Sequence, residues 1–124
     1  MQSLIGDNDH EGAIMFNGLT ATISVGGKKT ATDWYTRLLD RAPDARPMAG
    51  LVEWRLAETC GIQIWEDPER AGGSTVVIDV DDLDSLAGCL DAAGIEHDGP
   101  APGGGRRILP IADPDGNQVV FFGE

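Results

Sequence analysis

The order of apolar and polar residues is the same in the two halves of the chain. Each half begins with a run in which apolar residues alternate with small polar ones, and such alternation predicts a strand with one buried face. These runs are residues 19–25 and 74–80. A segment with apolar residues at helical spacing follows each run, at residues 30–39 in the first half. In the second half Asp81 or Asp82 is a suitable N-cap residue and Gly94 a suitable C-terminal stop, so they bound the second predicted helix.

Three further short strands are predicted after each helix. In the first half they are residues 46–48, 51–56 and 61–65, and in the second they are residues 96–101, 106–112 and 118–122. Corresponding residues lie 55 positions apart, as in the pairs Ile23 and Ile78, Tyr35 and Leu90, and Gly61 and Gly116. The sequence therefore predicts an α+β fold of two β-α-β-β-β modules in tandem, about residues 18–68 and 73–124, after an N-terminal tail of residues 1–17. Because one module alone leaves an open sheet edge, we expect the two modules to pair in a single domain.

Composition and charge narrow the classes of function. The chain has 124 residues, the size of one domain, and a net charge of −12. Such a charge repels phosphate backbones and anionic lipids, so nucleic acid and membrane surfaces are not expected partners. No apolar run has the roughly 20 residues of a membrane span, and no secretory leader is visible, so we expect a cytoplasmic protein. Cys60 and Cys89 are too few for a disulfide framework or a zinc cluster, and Cys89 is expected to be buried on the second helix.

Particular residues carry a resemblance to a known family. The closing run Asp-Pro-Asp-Gly-Asn-Gln-Val-Val-Phe-Phe at residues 113–122 follows a predicted turn and enters the last strand of the second module. Trp34 and Tyr35 form an aromatic pair in the first helix, and Val-Asp-Asp-Leu at residues 80–83 joins the strand to the helix in the second module. With the paired modules, these features resemble the vicinal oxygen chelate superfamily, which includes glyoxalase I, extradiol dioxygenases, fosfomycin resistance proteins and bleomycin resistance proteins. The resemblance covers the chain from Leu19 to its C-terminus and implies the glyoxalase/bleomycin-resistance-like fold.

The resemblance also indicates where a metal would bind. Metal-using members place a histidine five residues before the valine that closes the first strand of a module, and a glutamate four residues after the glycine of the closing turn. In this sequence these positions hold Thr20, Thr75, Trp65 and Val120. None of them is a usual ligand for a transition metal, so we expect no metal, no other cofactor and no catalytic residue. An alternative is a displaced metal centre built from Glu53, Glu66 or Asp79, which would make the protein an enzyme, and His97 would then be replaced along with these carboxylates as a first test.

Strand alternation predicts which side chains face a ligand cavity. Residues pointing away from the helices should be hydroxyl-bearing and aromatic, with Asp79 as the one charged residue. On the last strand, Gln118 and Phe122 should lie on the same face as Val120. The candidate ligand-binding residues are Thr20, Thr22, Gln63, Trp65, Thr75, Val77 and Val120, together with Trp54, whose facing the sequence leaves ambiguous. Such a lining favours binding over chemistry, because aromatic rings stack on flat or cationic groups and hydroxyls orient a ligand.

The glycine-rich segment at residues 100–107 has two interpretations. Three successive glycines allow a mobile hairpin tip. The tip could close over the cavity, with Arg106 or Arg107 reaching an anionic part of a ligand. It could equally be a plain surface turn with solvated arginines. Arg106 is included among the candidate ligand-binding residues.

Three hypotheses follow for the function. The first is a metal-independent protein that binds and sequesters a bulky cationic or heteroaromatic compound such as an antibiotic. Bleomycin resistance proteins, which this sequence resembles, are small, acidic, metal-free and typically dimeric, so a homodimer with a small-molecule ligand is expected. The second is a metal-dependent lyase, isomerase or dioxygenase of the same superfamily. The third is a regulatory module in which Trp54 and Trp65 form an interface.

Overall fold

The computed structural model describes residues 14–124. Within these residues eight strands and two helices follow one another in the predicted order, with three strands after each helix. They are β1 (Leu19–Val25), α1 (Lys28–Leu39), β2 (Ala45–Met48), β3 (Leu51–Ala57), β4 (Cys60–Glu66), β5 (Thr75–Val80), α2 (Leu83–Ala92), β6 (Ala101–Gly103), β7 (Arg106–Ala112) and β8 (Gln118–Gly123).

The strands form two four-stranded sheets with the same topology. The first sheet has the order β1-β4-β3-β2 and the second the order β5-β8-β7-β6. In each sheet the first strand pairs in parallel with the last strand of its module, and the other pairings are antiparallel. The predicted α+β fold of two β-α-β-β-β modules is therefore confirmed.

Each helix covers one face of its own sheet. Alternation along the strands directs branched apolar side chains to this helix-covered face, where Ile23, Val25, Ile62 and Ile64 are buried. The helix α1 contributes Ala31, Trp34, Tyr35 and Leu38, and α2 contributes Leu83 and Leu90. The aromatic pair of α1 is in the core, with the two rings in edge-to-face contact at a centroid distance of 4.8 Å.

The helix α2 begins and ends as its sequence predicts. The Asp82 carboxylate accepts a hydrogen bond from the backbone N–H of Ser85 at 3.0 Å, which makes Asp82 the N-cap. Hydrogen bonds from the backbone and hydroxyl of Ser85 lower the pKa of this carboxyl. Gly94 has a φ of 73°, a conformation that glycine adopts without strain, and ends the helix. No helix within the described part of the chain is long and apolar enough to cross a membrane.

Two local expectations were wrong. The strand expected at residues 96–101 is instead a loop leading to β6, which starts at Ala101. The His97 side chain organises this loop, because its Nε2 pairs with the Asp91 carboxylate at 2.8 Å and its Nδ1 accepts the backbone N–H of Gly99 at 3.0 Å. Cys89 is exposed, not buried, since only Leu83 and Leu90 of α2 are fully buried against the sheet.

The 55-residue repeat holds as far as the third strand of each module. The strand β7 starts and ends 55 residues after β3. The turn that follows then lengthens from two residues, 58–59, to five residues, 113–117. The last strand of the second module consequently starts later than a constant offset predicts.

The longer turn connects the two modules through buried polar contacts. Asn117, fully buried, donates from its side-chain amide to the backbone oxygen of Ser24 on β1 and to the Asp113 carboxylate, both at 2.9 Å. Its side-chain oxygen accepts the backbone N–H of Ser74 at 2.8 Å. The Asp113 carboxylate in turn accepts the Tyr35 hydroxyl at 2.8 Å. We call this set, Tyr35, Asp113 and Asn117, the inter-module cluster.

The inter-module cluster predicts an unusual titration of the protein's single tyrosine. Burial, and then the hydrogen bond to Asp113, hold the pKa of Tyr35 far above its ordinary value of about 10. Above about pH 10 the unfolded chain releases this proton while the folded chain keeps it, so stability should fall by about 1.4 kcal/mol per pH unit. Below that pH this group adds no pH dependence. We expect phenolate absorbance to appear only together with unfolding, and the slope to be smaller by this amount in Tyr35→Phe. Phenolate absorbance near pH 10 in a protein with native circular dichroism would contradict this.

Candidate functional site

Each sheet has a second face that no helix covers, and we call it the open face. On the first sheet the open face carries Thr20 and Thr22 of β1 and Gln63 and Trp65 of β4. Thr20 and Thr22 are exposed, while Gln63 and Trp65 are half-buried. The Gln63 amide donates to the Thr22 hydroxyl at 2.8 Å, which fixes its orientation. These four predicted ligand-binding residues therefore lie together on one surface.

Glu53 also lies on the open face of the first sheet. It is paired with Gln63 across the neighbouring strands. A depression of about 300 Å³ at one end of this face is lined in part by Thr20, Glu53 and Arg55. The first open face is thus polar at this end and aromatic at Trp65.

The open face of the second sheet is more apolar. Thr75 and Val77 of β5 lie there with Val120 of β8, which pairs with Val77. Val77 is 64% exposed, an unusual exposure for a branched apolar side chain in the middle of a strand. Phe122, half-buried, continues the surface along β8.

Ile108 and Pro110 of β7 also contribute to this face, and neither was among the residues predicted from the sequence. Ile108 is half-buried and pairs with Phe122, and Pro110 pairs with Val120. Leu109 lies between them in sequence and is buried on the helix-covered face. Applying the same alternation to β7 would have identified Ile108, because a buried Leu109 requires its neighbours to face the other way.

Trp54 does not lie on an open face. It is fully buried, its ring lies 6.1 Å from that of Tyr35, and its indole N–H donates to the backbone oxygen of Arg41 at 3.1 Å. The pairing of Glu53 with Gln63 turns Glu53 to the open face and so directs Trp54 toward α1. The assignment of Trp54 to the ligand site, and to an interface, is therefore corrected to a core position.

The strand register changes one of the positions assigned to a metal ligand. Thr22 lies opposite Gln63 in the first sheet, and Val77 lies opposite Val120 in the second. Because Thr22 and Val77 correspond to each other in the repeat, the residue that corresponds to Val120 is Gln63, not Trp65. Trp65 was assigned because the sequence repeat was taken as constant, whereas the turn before β8 is longer than the turn before β4. An amide is not a usual transition-metal ligand, so this set still lacks the histidine and carboxylate donors of a metal centre.

The alternative metal centre also lacks convergent donors. Glu53 and Asp79 lie on the open faces of different sheets, and Glu66 instead accepts the backbone N–H of Lys28 at the start of α1. His97 is in the loop before β6, bound to Asp91. Among residues 14–124 no group of three or more histidine, cysteine, aspartate or glutamate side chains could hold a metal ion. The other histidine, at position 10, lies outside the described residues.

The two arginines of the glycine-rich hairpin point to opposite sides of the second sheet. Arg107 lies on the helix-covered side and makes two hydrogen bonds to the Asp84 carboxylate, at 2.8 and 3.2 Å. This contact lowers the pKa of Asp84 and raises that of Arg107. Arg106 lies on the open face, with its guanidinium 4.4 Å from the centre of the Phe122 ring. Gly104 and Gly105, with φ of 58° and 80°, form the turn between β6 and β7.

Solved structures with the same fold match most of the chain. A glyoxalase/bleomycin resistance protein from Catenulispora acidiphila DSM 44928 is 30% identical, with a TM-score of 0.80, over 86% of this chain and 97% of that one. TnmS3, an antibiotic-binding protein from Streptomyces sp. CB03234, is 21% identical, with a TM-score of 0.74, over 90% and 97%. A bleomycin-binding protein complexed with bleomycin is 17% identical, with a TM-score of 0.72, over 85% and 96%.

No protein-family model matches the sequence, and no curated protein matches it. The assignment therefore depends on the structures and on the 30% identity to the Catenulispora protein. The two modules, the sheet order and the closing turn agree with the resemblance seen in the sequence. This chain belongs to the glyoxalase/bleomycin resistance protein family of the vicinal oxygen chelate superfamily.

Proposed function

We propose that this protein is a metal-independent binding protein that acts as a homodimer and sequesters a bulky aromatic compound, such as an antibiotic, in the cytoplasm. The observation that carries the proposal is the chemistry of the open faces, where hydroxyl, amide and apolar side chains occupy the positions of metal ligands. These groups bind and orient a molecule, and none of them is a base or nucleophile activated for catalysis. Both cysteines are free and exposed, as is usual in a reducing compartment.

Exposed apolar side chains support the homodimer. Val77 on the second open face is 64% exposed, and Met48, which pairs with Leu51 on the open face of the first sheet, is 59% exposed. Large apolar side chains exposed on ordered strands are typical of surfaces that another protein covers. A second copy placed against the open faces would bury them and turn two shallow surfaces into the walls of a cleft.

The side chains favour a flat ligand. Trp65 offers an aromatic surface on the first sheet, while Val77, Val120 and Phe122 offer an apolar one on the second. Thr22 and Gln63 add hydroxyl and amide groups that can orient polar substituents. The antibiotic-binding and bleomycin-binding proteins with the same fold are consistent with a ligand of this class. Of the two ligand types that the sequence suggested, we favour the heteroaromatic compound over the cationic one, because Arg106 places a positive charge on this surface.

Native mass spectrometry of the protein as purified tests the proposal. We expect the mass of two chains, with no metal mass and with or without a bound organic compound. A monomer at micromolar concentration would overturn the homodimer. Stoichiometric metal would overturn the metal-independent function and favour a metal-dependent lyase, isomerase or dioxygenase. In that case Glu53, Glu66, Asp79 and His97 would be the first residues to replace.

A further inference from the structure

Arg106 is held in position on the second open face, and its side chain makes no hydrogen bond to any residue in the described part of the chain. The Phe122 ring lies under the guanidinium at 4.4 Å, and the side chain is about one-third exposed. The Nε atom is buried and donates no hydrogen bond to any of residues 14–124. The carboxylates of Asp79 and Glu124 lie 3.6 and 3.8 Å away, beyond hydrogen-bond distance.

Arg107, the next residue on β7, provides a comparison, because its guanidinium forms hydrogen bonds within the fold. Arg107 makes two hydrogen bonds to Asp84 and a third, at 2.9 Å, to the backbone oxygen of Glu124. These contacts join β7 to the start of α2 and to the C-terminus. Within residues 14–124 Arg106 makes no hydrogen bond of this kind; its guanidinium lies on Phe122 and forms only the two longer ion pairs with Asp79 and Glu124.

The neighbouring acids do not neutralise Arg106 strongly. The side chains of Asp79 and Glu124 are 71% and 83% exposed. Exposed ion pairs contribute little free energy, so an incoming anion can displace these carboxylates at small cost. A guanidinium presents several N–H donors in one plane, which suits the oxygens of a sulfonate or carboxylate.

Apolar residues surround this charge on the same face. Ile108 pairs with Phe122, and Val120 pairs with both Val77 and Pro110. An aromatic ring lying on this surface would bring a substituent at its edge to Arg106. An apolar surface with one cation at its border is complementary to an aromatic anion.

We infer that Arg106, supported by Phe122, is the specificity-determining residue for an acidic group on an aromatic ligand. The inference rests on the proposed function, since it concerns the same open faces. It names the ligand class as flat aromatic compounds with a sulfonate, carboxylate or phenolate substituent. Arg107, which faces the opposite side of the sheet, takes no part in recognition.

Two fluorescent probes that differ in one group test the inference. 8-Anilinonaphthalene-1-sulfonate carries a sulfonate, and N-phenyl-1-naphthylamine has the same rings without it. In fluorescence titrations of the full chain, Arg106→Gln should weaken binding of the sulfonate probe about tenfold, as expected for the loss of a charge-assisted hydrogen bond. The same substitution should change binding of the uncharged probe less than about twofold, and Arg107→Gln should leave both probes within that range. Circular dichroism and thermal unfolding of both variants provide the folding control.

The possible outcomes separate this inference from the proposed function. Unchanged sulfonate binding in Arg106→Gln, or equal loss of both probes, would overturn the role of Arg106 and leave aromatic binding intact. Failure of the wild type to bind either probe would overturn the proposed function and the inference together. Should Arg106→Gln not fold, the wild type still decides, because it should bind the sulfonate probe more tightly than the uncharged probe in spite of the chain's net charge of −12. Tighter binding of the uncharged probe by the wild type would contradict the inference.

Discussion

Replacing Asn117 with alanine should lower the free energy of unfolding by about 3 to 5 kcal/mol. Asn117 is fully buried and bonds to Ser24, Ser74 and Asp113. The substitution leaves the backbone oxygen of Ser24 and the backbone N–H of Ser74 without these partners. It also takes one hydrogen bond from the Asp113 carboxylate, and an unsatisfied buried polar group costs about 1 to 3 kcal/mol.

Urea unfolding followed by tryptophan fluorescence measures this effect. The neighbouring residue provides a matched control, because Gln118 is exposed and its side chain is outside the inter-module cluster. Gln118→Ala should change the free energy of unfolding by no more than about 0.5 kcal/mol. If Asn117→Ala were as mild as the control, the inter-module cluster would not be what holds the modules together.

Replacing Trp54 with alanine should destabilise the protein by about 3 to 5 kcal/mol without altering the open faces. The ring is fully buried next to Tyr35, and its N–H is bonded to Arg41. Its removal leaves a cavity under α1 and an unpaired backbone oxygen at Arg41. The loss should appear in the unfolding midpoint, while the affinity of the folded variant for an aromatic probe stays close to that of the wild type.

Trp65→Ala is the matched substitution on the other side of the same sheet. Trp65 is half-buried on the open face, so its loss should cost about 1 kcal/mol of stability. It should instead weaken aromatic binding, because it removes the stacking surface. If Trp54→Ala abolished probe binding in folded protein while Trp65→Ala did not, the assignment of the two tryptophans would have to be exchanged.

The sequence was sufficient to predict most of the elements because each sheet has one face covered by a helix. Burial of that face produces alternation in the strands and a single apolar stripe on α1. The start of α2 has a separate local signal, the N-cap residue Asp82. The position of β6 was missed, because the loop before it depends on contacts of His97 that have no local signature. A loop whose course depends on the contacts of one side chain cannot be predicted from the residues next to it in sequence.

Strand alternation alone was enough to predict the part of the candidate site that lies on β1 and β5. Thr20, Thr22 and Val77 were placed correctly on exposed faces, since neighbouring strand residues point in opposite directions. The facing of Trp54 depends on its pairing with β4, which is a long-range contact. Which residue of the first module corresponds to Val120 depends on the length of the turn before β8. Neither can be read from residues close in sequence.

The inter-module cluster makes the association of the two modules directional. All of its turn residues belong to the second module, and they reach into the first at Ser24 and Tyr35. The equivalent turn of the first module has two residues and no counterpart of Asn117. Two copies of the first module would therefore lack Asp113 and Asn117, and two copies of the second would lack Ser24 and Tyr35. A chain cut between residues 67 and 73 should consequently reassemble only as complementary fragments, and neither fragment should build symmetrical pairs with itself.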